Sequence, residues 1–202
     1  MFQVFPAKLA AATGATITYR KTFKSSYPEF VEIKIDESGS GTWDIHQLDE
    51  DSDAQPLQVS AMLAQRVFSL AAQLHNFDKA NLDVHRKIAN LGEKTFRYEK
   101  GTEIHEVSFN YTLSTPANQL LDIFEGIAIQ MEDMSALQRA MRFDRLGVNE
   151  AVQRIEADYN RKVFPEPDKL LPVLDQLAAD TQYLDIARQR ARTLAEKIRN
   201  PK

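Results

Sequence analysis

The chain contains no cysteine and only seven glycines among its 202 residues. The absence of cysteine excludes disulfides, thiolate metal sites and a cysteine nucleophile. The few glycines form no glycine-rich phosphate loop, since Gly14 stands alone. The run Ser38-Gly39-Ser40-Gly41 lacks the Gly-x-Ser-x-Gly spacing of a serine nucleophile, and no helical pattern follows it. Nucleophile and phosphate-loop chemistry are therefore not predicted.

The sequence also lacks a long apolar run. No segment approaches the ~18 apolar residues that a spanning helix needs, so no membrane span is predicted. Residues 1–12 are largely apolar, but they have no basic region before them and Lys8 interrupts them, which does not fit a signal peptide. We expect a soluble protein, either cytoplasmic or exported by a signal peptide absent from this chain, and the sequence leaves that choice open.

Positive charge is in slight deficit, with 25 basic against 29 acidic side chains and a net charge of −4. General nucleic-acid binders are usually basic, so nucleic acid is not favoured as a partner. The distribution is uneven, because residues 181–202 hold six basic side chains against two acidic ones. In this segment Arg188, Arg192 and Arg199 are the candidate partner surface. The alternatives are a solvated helix face with cations near its C-terminus, a docking face for an acidic partner, or a docking face for nucleic acid.

A change of period along the chain predicts the fold class. Residues 15–47 and 93–111 alternate apolar and polar side chains, as β-strands with one buried face do. Residues 60–77 and most of the chain after residue 116 repeat at helical spacing. Strands close in sequence favour antiparallel pairing, and their segregation from helices favours an α+β fold. We predict an antiparallel sheet of about five strands in the order βββ-α-ββ-α, with helices on one face, followed by an all-helical C-terminal segment.

Local signals refine this architecture. In the clearest strand Ile33 is expected to face the core and Lys34 the solvent. Ser60 and the Thr115-Pro116 pair predict helix starts. The run Phe164-Pro165-Glu166-Pro167 predicts a hard break between helices. Two apolar stripes follow it, Leu170/Leu174/Leu177 and Leu184/Ala187/Ala191/Leu194/Ile198, which must dock on the preceding helices or on a second copy of the chain.

Two units are expected from this order of elements. Residues 1–131 form the α+β sheet domain, and residues 132–202 form a helical C-terminal segment that packs on it as one unit. We expect no cofactor, because no motif for one occurs.

No local metal motif is present either. The four histidines, His46, His75, His85 and His105, lie too far apart in sequence for a local zinc site, although they could converge in space. Asp49, Asp51 and Asp53 match the first ligand positions of a calcium loop. The match then fails, since Ala54 replaces the required glycine and Ser60 stands where a bidentate glutamate belongs. We therefore predict no metal site.

The function predicted from these features is a non-enzymatic binding or protein-interaction module, acting on a protein partner or by self-association. The alternative is a hydrolase whose site assembles only in three dimensions from carboxylates and a histidine. A deep pocket that joins His46, His85 or His105 to two carboxylates would favour the enzyme.

Overall fold

The computed structural model describes residues 14–84 and 89–201. Its six described strands are β1 (Thr16–Thr22), β2 (Phe30–Asp36), β3 (Ser40–His46), β4 (Gln55–Gln58), β5 (Glu93–Lys100) and β6 (Glu103–Phe109). They lie side by side in the order β4-β3-β2-β1-β5-β6, and each neighbouring pair is antiparallel. The predicted α+β class is confirmed, with one strand more than the five expected.

The additional strand is β4, at the edge of the sheet. It has four residues and contains Pro56, which lies opposite Thr42 of β3. A proline cannot donate a ladder hydrogen bond, so it is tolerated at such an edge and not in a central strand. The sequence does not predict this strand, because four residues around a proline show no alternation of apolar and polar side chains.

The described α-helices are α1 (Ala61–Gln73), α2 (Thr115–Phe143), α3 (Val148–Asn160), α4 (Leu171–Ala179) and α5 (Asp185–Arg199), with short 3-10 helices at His75–Phe77 and Pro167–Leu170. The cap predicted for α1 is confirmed, because the Ser60 hydroxyl accepts the Leu63 N–H at 3.2 Å. The residue that caps α2 is Ser114, one position before the predicted Thr115. No described helix is long and apolar enough to cross a membrane.

The sheet core lies between the sheet and helices α1 and α2. Tyr19 of β1 is opposite Ile33 of β2 and Phe96 of β5, and all three side chains are fully buried. The Tyr19 ring stacks on Phe124 of α2, with ring centroids 5.4 Å apart. Lys34, the neighbour of Ile33 along β2, is exposed on the opposite face. The predicted strand parity is therefore confirmed.

Helix α2 connects this sheet core to a second, helical core. Its 29 residues span about 43 Å. Phe124 belongs to the sheet core, whereas Leu137 belongs to the helical core. Helices α3, α4 and α5 form this second core with the second half of α2, and together these four segments are called the helical unit below. The domain boundary predicted after residue 131 falls inside this continuous helix.

The apolar stripes of the last helices pack on α3. The helical core contains Val148, Val152 and Ile155 of α3 together with Leu170, Val173, Leu174, Leu177, Ala187, Ala191, Leu194 and Ile198. Leu184 is the exception to the predicted stripe, since it is 48% exposed. The reason is that α5 begins at Asp185, so Leu184 lies outside the helix as its N-cap residue.

The connector between α3 and α4 fixes the helical unit to the sheet domain. The buried amide of Gln130 in α2 donates to the Glu166 carbonyl at 2.7 Å and accepts the Glu166 N–H at 3.4 Å. The Glu166 carboxylate in turn accepts the Ser60 N–H at 2.8 Å. Gly126 permits the close approach, because a Cβ there would lie 2.4 Å from the Val163 carbonyl oxygen. The predicted break between helices is thus also the segment that attaches the helical unit to the sheet domain.

Candidate interaction surface

The three arginines of the predicted partner surface share one side of α5, spread over about 16 Å of the helix. Each contacts the chain itself. Their partners are Asp185 for Arg188 at 2.7 Å, Asp175 for Arg199 at 2.5 Å, and both the Gln189 side chain (2.9 Å) and the Ala178 carbonyl (3.3 Å) for Arg192. Arg192 and Arg199 therefore contact α4 and connect it to α5.

Other basic side chains of α5 are also occupied. Glu156 of α3 accepts hydrogen bonds from Lys197 at 2.7 Å and from Arg190 at 2.9 Å. These bonds, that of Lys197 foremost, lower the pKa of the Glu156 carboxyl. The positive charge near the C-terminus thus bridges α3, α4 and α5, which is a structural use of the residues.

The open face of the sheet carries paired charges. Arg20 and Glu32 lie 2.6 Å apart on neighbouring strands. Arg97 contacts Glu99 at 3.0 Å and Glu106 at 3.3 Å. The hydrogen bond from Arg97 lowers the pKa of Glu99. Such exposed pairs are ordinary for a solvated sheet face and point to no particular ligand.

A serine, an aspartate and a histidine meet beside β3, but not in the order that a nucleophile needs. The Ser52 hydroxyl donates to Asp44 at 2.6 Å. The His46 Nε2 lies 3.7 Å from the same carboxylate oxygen, while its Nδ1 is 2.6 Å from the Gln47 carbonyl. A general base must contact the hydroxyl that it activates, and here the aspartate lies between the serine and the histidine.

The described histidines on β3 and β6 lie apart from each other. His105 on β6 has its Nδ1 3.2 Å from the Asn76 carbonyl and its Nε2 3.6 Å from Glu103. Three strands separate β6 from β3, so His105 and His46 do not share a pocket. His75 lies in a short 3-10 helix that ends at Phe77. The predicted candidate His85 lies outside the described residues.

The acidic loop remains exposed at Asp49, Asp51 and Asp53, just before β4. Ser60, at the position where a calcium loop has its glutamate, is used to cap α1. Within residues 14–84 and 89–201 no group of three histidine or carboxylate side chains could hold a metal ion.

A different surface emerges at the far end of the helical unit, where α2 ends and α5 begins. Four large apolar side chains are exposed there: Phe143 (82%), Leu146 (77%), Leu184 (48%) and Ile186 (58%). We call these four residues the tip patch. Phe143 lies about 28 Å along the helix axis from Phe124, so the tip patch is far from the centre of the sheet core.

Two hydrogen bonds hold the segments of the tip patch side by side. The Tyr183 hydroxyl donates to the Met141 carbonyl at 2.9 Å. Arg145 donates to the Gln182 side chain at 2.8 Å. Residues 141–146 and 182–186 are therefore neighbours in space although about 40 residues separate them in sequence.

Sequence reasoning missed this surface. The sequence predicts Leu184 in a buried stripe, and no sequence pattern singles out Phe143 or Leu146. The available signal was Ile186, which directly precedes the buried Ala187 and cannot share its side of an α-helix. An apolar residue off the stripe marks a second apolar surface, and no pattern within one helix indicates which other segment joins it.

A buried pair of carboxyls lies at the crossing of α2 and α3. Asp133 and Asp158 are only 2% and 4% exposed. Arg154 donates to Asp133 at 2.5 Å, Arg161 contacts Asp158, and the second oxygen of Asp133 has no described donor. Burial raises the pKa of Asp133 to about 6, and the adjacent Asp158 carboxyl adds to this rise.

No protein-family model matches the chain, and no curated protein matches it either.

Proposed function

We propose that this protein is a non-enzymatic interaction module that binds a protein partner through the tip patch. The observation that carries the proposal is the exposure of four large apolar side chains, Phe143, Leu146, Leu184 and Ile186, on two adjacent segments. Single exposed apolar residues are ordinary on a protein surface. A group of them on one end of a domain is typical of an interaction site.

The charged faces of the described surface support the choice by contrast. Charged side chains of the open sheet face and of α5 pair with one another within the chain, as Arg20–Glu32 and Arg199–Asp175 illustrate. A partner that bound there would have to compete with these contacts. At the tip patch a partner would cover apolar surface, which is favourable by about 25 cal/mol for each Å² removed from water.

The test places a photo-crosslinking amino acid at position 186 of the whole chain. Crosslinking is carried out inside the cells that produce the protein. We expect a discrete protein adduct that disappears when Phe143→Ser and Leu146→Ser are introduced together. The matched control carries the crosslinker at Thr42, which is exposed on the open sheet face. No adduct from position 186, or an adduct that persists without the two apolar side chains, would contradict the proposal.

A further inference from the structure

The charges around the tip patch are divided between its two segments. Residues 139–146, at the end of α2, contain Arg139, Arg142 and Arg145 against Asp144 alone. Residues 180–186, at the start of α5, contain Asp180 and Asp185 and no basic residue, and Arg188, one turn further along α5, pairs with Asp185 at 2.7 Å and reduces the negative charge there. Phe143 and Leu146 belong to the first segment, called the basic half here. Leu184 and Ile186 belong to the second, called the acidic half.

This division restricts the kind of partner. A partner with charge of one sign would be attracted by one half and repelled by the other. In a two-fold symmetric pair the same patch meets itself, and contacts run from segment i to segment j and from j to i. The basic half of each copy can then face the acidic half of the other, while the apolar side chains of both copies meet between them.

We infer that the partner of the tip patch is a second copy of this chain, joined to the first by a two-fold axis through the tip. This inference rests on the proposed function and names its partner. Apolar side chains supply the area removed from water, and the crossed charges fix the orientation of the two copies. The net charge of −4 on each copy adds only a weak long-range repulsion, which salt screens.

The available side chains allow a charge-reversal experiment with little effect on the fold. Arg139 and Arg142 are exposed, and no contact of either is described. Arg139→Glu with Arg142→Glu makes both halves acidic. Asp185 is 96% exposed at its side chain, and Thr181 is exposed beside it. Thr181→Lys with Asp185→Lys makes both halves basic, and it also removes the pair of Asp185 with Arg188, an exposed pair of a kind that contributes little to stability. Circular dichroism and the melting temperature check that each variant is folded.

Sedimentation equilibrium of the purified full-length proteins tests the inference. We expect the wild type to form dimers at micromolar concentration, and each charge variant to raise the dimer dissociation constant at least about tenfold. Mixing the two variants should restore a dimer that contains one copy of each, because every crossed contact is again between opposite charges. The double variant Phe143→Ser with Leu146→Ser should not form dimers. Mixing it with either charge variant should not restore them.

Three outcomes would overturn the dimer. They are a wild type that stays monomeric at about 100 µM, charge variants that dimerise as the wild type does, and a mixture of variants that forms no mixed dimer. The crosslinking experiment separates this failure from failure of the proposed function. An adduct with a different protein from position 186 keeps the interaction surface and rejects self-association, whereas an adduct of twice the chain mass supports it.

Discussion

Under the sheet, aromatic rings fill the core, whereas at the edge of the helical core two carboxyl groups are buried. Tyr19, Phe96 and Phe124 lie within 6.2 Å of one another, measured between ring centroids. In the helical unit the crossing of α2 and α3 places Asp133 beside Asp158, both almost without solvent contact. The sheet strands form acid–base pairs such as Arg20–Glu32 on the open face, and the pair Lys21–Glu125 that joins β1 to α2 stays partly exposed, while the helical unit places one of its pairs between helices.

The difference follows from the two kinds of surface. A strand sends alternate side chains to opposite faces, so a charged residue next to a buried one reaches solvent automatically. A helix has an apolar stripe with polar positions at its margins, and a neighbouring helix can cover such a margin. A marginal carboxyl then becomes buried and needs a donor, which Arg154 supplies to Asp133.

The largest effect should come from a charge placed in the aromatic core. Ile33→Asp would put a carboxylate into a fully buried position without a donor, and we expect it to lower the free energy of unfolding by at least about 4 kcal/mol or to prevent folding. Urea denaturation measures the change. The control is Lys34→Gln, which loses only a 4.0 Å contact with Glu99 and should cost no more than about 0.5 kcal/mol. Similar losses in both variants would refute the strand parity.

The strand parity at Ile33 was predictable because alternation over seven residues has few competing explanations. Strand β4 was not, because Pro56 and a length of four residues leave no period. The burial of Asp158 had a partial signal, since it lies three residues after the buried Ile155 and so near the same helix stripe. The contact of Asp158 with Asp133 had no signal in the sequence, because only the crossing of two helices brings residues 133 and 158 together.

The contact between the sheet domain and the helical unit should give the next largest effect. Gln130→Leu keeps the volume of the side chain but leaves the buried N–H and carbonyl of Glu166 without their partner. We expect a loss of about 1–3 kcal/mol in the free energy of unfolding. Gln138→Leu, at an exposed position of the same helix, is the control. If neither change alters the free energy of unfolding, the connector is held by other contacts. The sheet domain and the helical unit are then less tightly joined than the hydrogen bonds indicate.

The buried carboxyl pair should make the helical unit sensitive to pH. The pKa of Asp133 rises from 3.8 to about 6 on folding, so the folded chain holds this proton more tightly than the unfolded chain does. The contribution of Asp133 to stability therefore increases as the pH falls from 7 towards 4. In Asp133→Asn the amide oxygen can still accept from Arg154, and the amide nitrogen can donate to Asp158.

We therefore expect Asp133→Asn to raise the melting temperature at pH 8, with a difference that shrinks below pH 6. Thermal unfolding over pH 4–8 measures this. Glu150→Gln, at an exposed position of α3, should show no such trend. An equal effect of Asp133→Asn at pH 8 and pH 4 would mean that the proton is not held by this pair.

The smallest effect should come from the paired charges of the open sheet face. Arg97→Gln removes the guanidinium that contacts both Glu99 and Glu106 and leaves the two carboxylates facing each other without it. Because these groups are partly exposed, we expect a loss of no more than about 1 kcal/mol in the free energy of unfolding.

Repulsion between exposed carboxylates is screened by salt, so the loss should decrease in 1 M NaCl, where the screening length is about 3 Å. Urea denaturation at low and high salt, with Lys100→Gln on the same strand as the control, measures both values. A loss above about 3 kcal/mol, unchanged by salt, would show that Arg97 behaves as a buried pair does, and the contrast between the exposed charges of the sheet and the buried pair of the helical unit would no longer hold.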